Sequence, residues 1–131
     1  MVAAVISQEE KILICQRKPD GAHPLKWEFP GGKVEQAEEP RDALQRELWE
    51  ELRIHAVIGP QVCRYTYAYP GKNPILLIFY RVAQFTGVPE NCVFQQIRWS
   101  QRSALQEFDF LEGDRDFVEK LILSSDCSAS S

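Results

Sequence analysis

Apolar residues change rhythm along this chain, and each change marks an element. Residues 2–7 and 11–17 are short runs dense in Val and Ile, set either side of the polar turn Gln8-Glu9-Glu10. They predict two strands. Residues 18–26 hold Pro19, Asp20-Gly21 and Pro24 and predict a loop. From residue 38 to 52 the spacing becomes helical, with Leu44, Leu48 and Leu52 on one stripe. Residues 55–69 are extended, with alternation in Arg64-Tyr65-Thr66-Tyr67. Residues 70–74 are a hairpin turn, and residues 75–85 return as an apolar, largely buried strand. Residues 86–91 form a loop and residues 97–100 a short strand. A helix over 104–108 follows, capped by Ser100 or Ser103, and a last helix runs over 112–123.

Length then bounds the organisation: 131 residues predict one domain over residues 1–123, with a serine-rich, disordered tail over 124–131. Apolar residues make up 44% and charged residues 26%, the balance of a globule that buries a core. The net charge of −4 argues against stable nucleic-acid binding through a basic surface. No apolar run is long enough to span a membrane, and no signal-like segment opens the chain. Cys15, Cys63, Cys92 and Cys127 form no CxxC pair and no zinc spacing. Reduced thiols in a cytoplasmic protein are the expectation.

Charge adds chemistry to the helix over 38–52. Glu47, Glu50 and Glu51 fall within roughly a 100° arc, beside the leucine stripe and so at the border between core and solvent. Like charges at i,i+4 destabilise a helix by a few tenths of a kcal/mol per pair. Arg46 and Arg53 can each reach Glu50, which answers only part of the repulsion. A divalent cation would answer the rest, and carboxylates completed by waters and phosphates suit Mg²⁺. A solvated acidic face is the alternative, and the helix alone does not choose between them.

The spacing around that helix resembles the Nudix box: Gly32, Glu38, Arg46-Glu47, Leu48, Glu50-Glu51 and Ile54 match in register. Arg53 stands where the family has glycine. Trp27-Glu28-Phe29-Pro30-Gly31-Gly32 resembles the family's lead-in. The resemblance implies an α/β (α+β) fold, the Nudix α/β/α sandwich with a mixed sheet between helices. It implies Mg²⁺, or Mn²⁺, held by the Gly31 carbonyl, Glu47, Glu50 and Glu51, with Arg46 orienting the glutamates and Glu50 and Glu47 taking part in catalysis. By comparison with MutT-like members, Arg17 is placed to meet phosphate, with a strand-end charge as the other reading. Lys33 can also reach a phosphate, although an exposed lysine needs no function. Tyr69 and Leu77 would enclose a base, with Lys72 near it. Asp114, fifteen positions after Trp99, would read the base edge. An ionised Asp only accepts hydrogen bonds, which suits an exocyclic amino group. The other reading of Asp114 is a first-turn helix carboxylate bonded to backbone N–H groups. MutT-like enzymes often carry a loop glutamate six positions before the tryptophan matching Trp99; here Val93 stands there, and Glu90 is the nearest acid.

The implied activity is hydrolysis of a nucleoside triphosphate to the monophosphate and pyrophosphate, on CTP or an oxidised guanine nucleotide, by a monomer or homodimer. The alternatives are a Nudix hydrolase for a dinucleotide polyphosphate, nucleotide sugar or RNA 5′ end, and a nucleotide-binding module with weakened catalysis.

Overall fold

The computed structural model describes residues 1–123; the tail expected to be disordered, and Cys127 within it, lie outside the described residues. The strands are β1 (Val2–Val5), β2 (Ser7–Gln8), β3 (Lys11–Gln16), β4 (Trp27–Glu28), β5 (Gly31–Gly32), β6 (His55–Tyr67), β7 (Ile75–Thr86) and β8 (Gln96–Gln101). The α-helices are α1 (Pro40–Leu52) and α2 (Arg115–Leu123).

Two sheets result. The first runs β5-β1-β7-β6 and is mixed: β1 lies parallel to β7, and the other pairs are antiparallel. The second is antiparallel and centred on β3. There β8 pairs along all of β3, so β2 and β4 share its other edge. Side chains alternate across the strands as period-2 geometry requires. Val2, Ala4, Leu13, Cys15, Ile78, Tyr80 and Val82 pack with Leu44, Leu48 and Leu52 of α1. Val5, Ile12, Ile14, Leu77 and Phe79 pack with Phe117, Val118 and Leu121 of α2. Both faces of the strands are therefore covered, one by each helix, which is the expected sandwich. Phe79 anchors the α2 side, fully buried and stacked on Phe117 at 4.0 Å between ring centroids.

Several boundaries differ from the sequence reading. Helix α1 starts at Pro40 rather than residue 38, because the residue before a proline is held extended; Glu39 has φ −74 and ψ 144. The segment over 102–107 is a 3-10 helix with no side-chain cap. Ser100 is still paired with Ile12 as a strand residue, and its hydroxyl donates to the Gln101 carbonyl, so it is not available as a cap. The last helix opens with a separate 3-10 turn, Glu112–Asp114. The β2–β3 turn places Glu9 and Glu10 at φ 53 and 67, both positive as a two-residue hairpin demands, without the Asn-Gly signature.

Strand β6 lies at a sheet edge and carries register shifts between residues 57 and 63, around Gly59-Pro60. Proline has no N–H to give to a ladder and is confined to such edges.

Arg53 keeps the helix exit that the family's glycine would make. It adopts the left-handed conformation a glycine would take, φ 55 and ψ 37, and its N–H donates to the Trp49 carbonyl. Its guanidinium lies over the Trp49 ring at 5.0 Å rather than reaching Glu50. The left-handed conformation costs a side-chain-bearing residue about 1 kcal/mol, and an exposed cation–π contact returns about 0.5 kcal/mol. Arg53→Gly is therefore expected to stabilise the fold by roughly 0.5 kcal/mol, read as a higher urea midpoint at unchanged m-value.

Candidate active site

The short pairing of β5 with β1 brings Gly31 and Gly32 against α1. A Cβ on Gly32 would stand 1.8 Å from Glu47 Oε2, and one on Gly31 would stand 2.0 Å from the Val2 carbonyl oxygen. At Gly31 the obstacle is β1 backbone, so only glycine fits there; at Gly32 it is the end of the Glu47 side chain. The Gly31 N–H donates to Glu51 Oε1 at 3.2 Å. From the far side, the Cys92 N–H donates to the Glu51 carbonyl at 3.1 Å, which stitches the loop before β8 to the end of α1. Val93 is exposed in that loop, and so is Glu90, whose N–H donates to the Leu52 carbonyl.

Arg46 organises the outer side of the helix. Its Nε and Nη2 donate to Glu38 at 2.9 and 3.0 Å, its Nη1 to Glu50 at 3.3 Å, and Nη2 also to the Lys33 carbonyl. Glu47 Oε1 lies 3.7 Å away. The Arg46 hydrogen bonds hold the Glu38 carboxyl below the usual range. The inner carboxylates behave oppositely. Burial first, then the charge of Glu47, pushes Glu51 up to about 8, against the Gly31 N–H that favours its ionised form. Burial raises Glu47 as well, despite Arg46, with Glu50 adding to the shift.

Glu47 and Glu51 are thus partly desolvated, like-charged and short of cations. Their donors are all hard oxygens, which fit a divalent ion such as Mg²⁺. Among the described residues no three His, Cys, Asp or Glu side chains converge closely enough to hold an ion by themselves. Backbone and substrate oxygens would have to complete the shell, the usual situation for Mg²⁺ at phosphate.

A cleft of about 880 Å³ opens beside Gly31 and Gly32. Arg17, Lys33, Tyr69, Lys72, Leu77 and Asp114 all line it, so the structure gathers every residue expected to meet substrate. Glu47, Glu50, Glu51 and Arg46 are not part of the lining; they stand behind the glycine pair. Two lining residues were not singled out from the sequence. Glu28 accepts from Arg17 Nη1 at 3.1 Å, and burial outweighs that partner to raise its carboxyl. It follows Trp27 within the glycine lead-in, which was the available signal. His23 sits at φ 50 with its ring 4.8 Å from Tyr69, in a loop whose sequence gives no sign of this.

Asp114 is only 8% exposed. Burial, then the charge of Glu28, pushes it up to about 7, while a hydrogen bond from the Phe29 backbone favours its ionised form. It stands in a helix-start turn and takes a backbone hydrogen bond, and it also lines the cleft. Leu77 both lines the cleft and belongs to the core on the α2 side.

Comparison with known proteins agrees with this arrangement. A family model described as the NUDIX domain matches residues 1–121. The chain is 40% identical over 107 residues to a CTP pyrophosphohydrolase of Escherichia coli, covering 81% of this chain and 78% of that protein. It is 34% identical over 123 residues to an 8-oxo-dGTP diphosphatase of Haemophilus influenzae, covering 92% and 90%. Among solved structures, that of the E. coli ORF135 protein superposes with a TM-score of 0.80 at 35% identity, over 90% of this chain and 84% of that one. With the box helix, the paired glycines and the sandwich all in place, the chain belongs to the Nudix hydrolase family.

Proposed function

We propose that the protein hydrolyses a nucleoside triphosphate to the monophosphate and pyrophosphate, with a base that bears an exocyclic amino group, cytosine first. One observation carries this reading. A single cleft joins a nearly buried carboxyl, Asp114, to the glycine pair behind which Glu47 and Glu51 stand. That is a base end and a phosphate end in one cavity. The names of the relatives, CTP pyrophosphohydrolase and 8-oxo-dGTP diphosphatase, support the same substrate class.

In this reading Glu47 and Glu51, with the Gly31 carbonyl, hold a divalent cation. The ion, when bound, neutralises polyphosphate charge and lowers the pKa of a bound water. The chain's own residues do the rest. Arg17 and Lys33 meet the phosphates, and Arg46 fixes Glu50 and Glu38. The oxygen of water attacks phosphorus, and the bond to the departing oxygen breaks. Since Val93 stands at the loop position, Glu50 is the carboxylate to take the water's proton. Tyr69, Leu77 and Lys72 enclose the base, and Asp114 accepts from its amino group. No helix among the described residues is long and apolar enough to cross a membrane.

Three outcomes follow from the site. Glu51→Gln is expected to lower kcat/KM for CTP about a thousandfold, because several kcal/mol of charge stabilisation depend on the ion. Pyrophosphate release with Mg²⁺ present is the readout, and near wild-type turnover would reject the metal assignment.

Without metal, the fold should weaken as pH rises. Glu51 and Asp114 hold their protons to about 8 and about 7 in the folded state, well above their unfolded values. Their contribution is fully present near pH 4 and is lost as pH climbs through 7 and 8, by on the order of a few kcal/mol. Urea denaturation in chelator between pH 5 and 8.5 measures this slope. Glu51→Gln should flatten it, and Mg²⁺ should restore stability at pH 8.

Asp114 should also tune base choice. Above pH 7 it only accepts; below, it donates as well. The CTP to UTP ratio of kcat/KM is expected to rise from pH 6 to 8, and to be flat with pH in Asp114→Asn.

A further inference from the structure

Three alternate residues near the end of β6, Tyr65, Tyr67 and Tyr69, send their hydroxyls to one short turn, Glu112–Asp114. Tyr65 Oη donates to the Gly113 carbonyl at 2.6 Å. The Gly113 N–H donates to Tyr69 Oη at 3.1 Å. Tyr67 Oη donates to Glu112 Oε2 at 3.2 Å. The first two grip the backbone on both sides of Gly113, whereas the third touches only an exposed side chain. The fit is close: a Cβ on Gly113 would stand 2.9 Å from Tyr69 Oη and 3.5 Å from Leu77.

The carbonyl held by Tyr65 belongs to the peptide that begins Asp114. The N–H of that same peptide donates to the Leu111 carbonyl at 2.9 Å, so both of its polar atoms are fixed. Packing of Phe117, Val118 and Leu121 fixes the helix that follows, but the 3-10 turn before it has no side-chain cap. Tyr65 does not line the cleft; Asp114 and Tyr69 do. A hydroxyl outside the cavity therefore sets where the carboxyl inside it stands.

We infer that Tyr65, with Tyr69, is a positioning residue for base selection: its hydroxyl clamps the Gly113–Asp114 peptide and so aims Asp114 at the base edge. This rests on the reading of Asp114 as the base-facing group. Base discrimination demands that a polar group be held where it meets one hydrogen-bonding pattern and fails another. A turn free to shift would let Asp114 accommodate either. Tyr65 bonds to the Gly113 carbonyl and to none of the α1 carboxylates, so loosening the clamp should act on binding and selection rather than on the chemical step.

The test is steady-state kinetics at pH 8 with CTP and UTP on the unchanged protein and on Tyr65→Phe, Tyr67→Phe, Asp114→Ala and the Tyr65→Phe/Asp114→Ala double variant. Loss of one neutral hydrogen bond predicts that Tyr65→Phe raises KM for CTP and lowers the CTP to UTP ratio of kcat/KM, each by roughly fivefold, with kcat kept. Tyr67→Phe should leave the ratio intact. The double variant should select no worse than Asp114→Ala alone. Equal losses for both nucleotides, or the same loss in Tyr67→Phe, would mark general loosening and overturn the clamp. A ratio that drops in Asp114→Ala but holds in Tyr65→Phe also overturns it, while leaving the base reading standing. If Asp114→Ala leaves the ratio unchanged, the base reading itself fails and the clamp goes with it. Should Tyr65→Phe not fold, Tyr69→Phe removes the other hydroxyl, keeps the ring, and reads the same ratio.

Discussion

The meeting of a glycine pair with two glutamates is the constraint on which this molecule turns. Gly32 lies against the end of the Glu47 side chain, and Gly31 gives its N–H to Glu51. That proximity needs the β1–β5 pairing to deliver the loop and the leucine stripe of α1 to seat the helix. Sheet, helix and loop are thus tied at one point. The point carries negative charge that the protein alone does not neutralise. Arg46 is engaged chiefly with Glu38 and Glu50 on the outer side and reaches Glu47 only at 3.7 Å, so burial and mutual repulsion outweigh it at the inner pair. An isolated pair of this kind would count against stability.

The cleft beside this point mixes charges. Cationic side chains, Arg17, Lys33 and Lys72, line it in a globally acidic chain. Asp114 is buried in the same cleft, where the charge of Glu28 reaches it. Glu28 in turn is felt by Glu51. Asp114 and Glu51 are therefore linked electrostatically through one residue anchored by Arg17.

Much of this was legible in the sequence, and the reasons are physical. The leucine stripe, the Val/Ile runs and the box spacing are local patterns whose consequences are local, so α1, β1, β3 and β7 emerge with small errors at their ends. The residues matched to substrate positions of MutT-like proteins all line one cleft. What was not legible depends on partners distant in sequence. The tyrosines of β6 read as alternation, but their targets lie more than forty positions away. The 3-10 turn at 112–114 is bounded by those hydrogen bonds rather than by propensity. At Arg53 the helix end imposed its own left-handed geometry and the side chain found the neighbouring indole. Ser100 was expected to cap, but the ladder with β3 claimed it first.

The bulged, proline-bearing edge of β6 has one more consequence. An open sheet margin is a template on which a foreign chain can crystallise as an extra strand. Here the shifts between residues 57 and 63 and the missing donor at Pro60 break the row of docking groups into pieces too short to register a newcomer. The same irregularity therefore makes this edge a poor template for fibre-like growth.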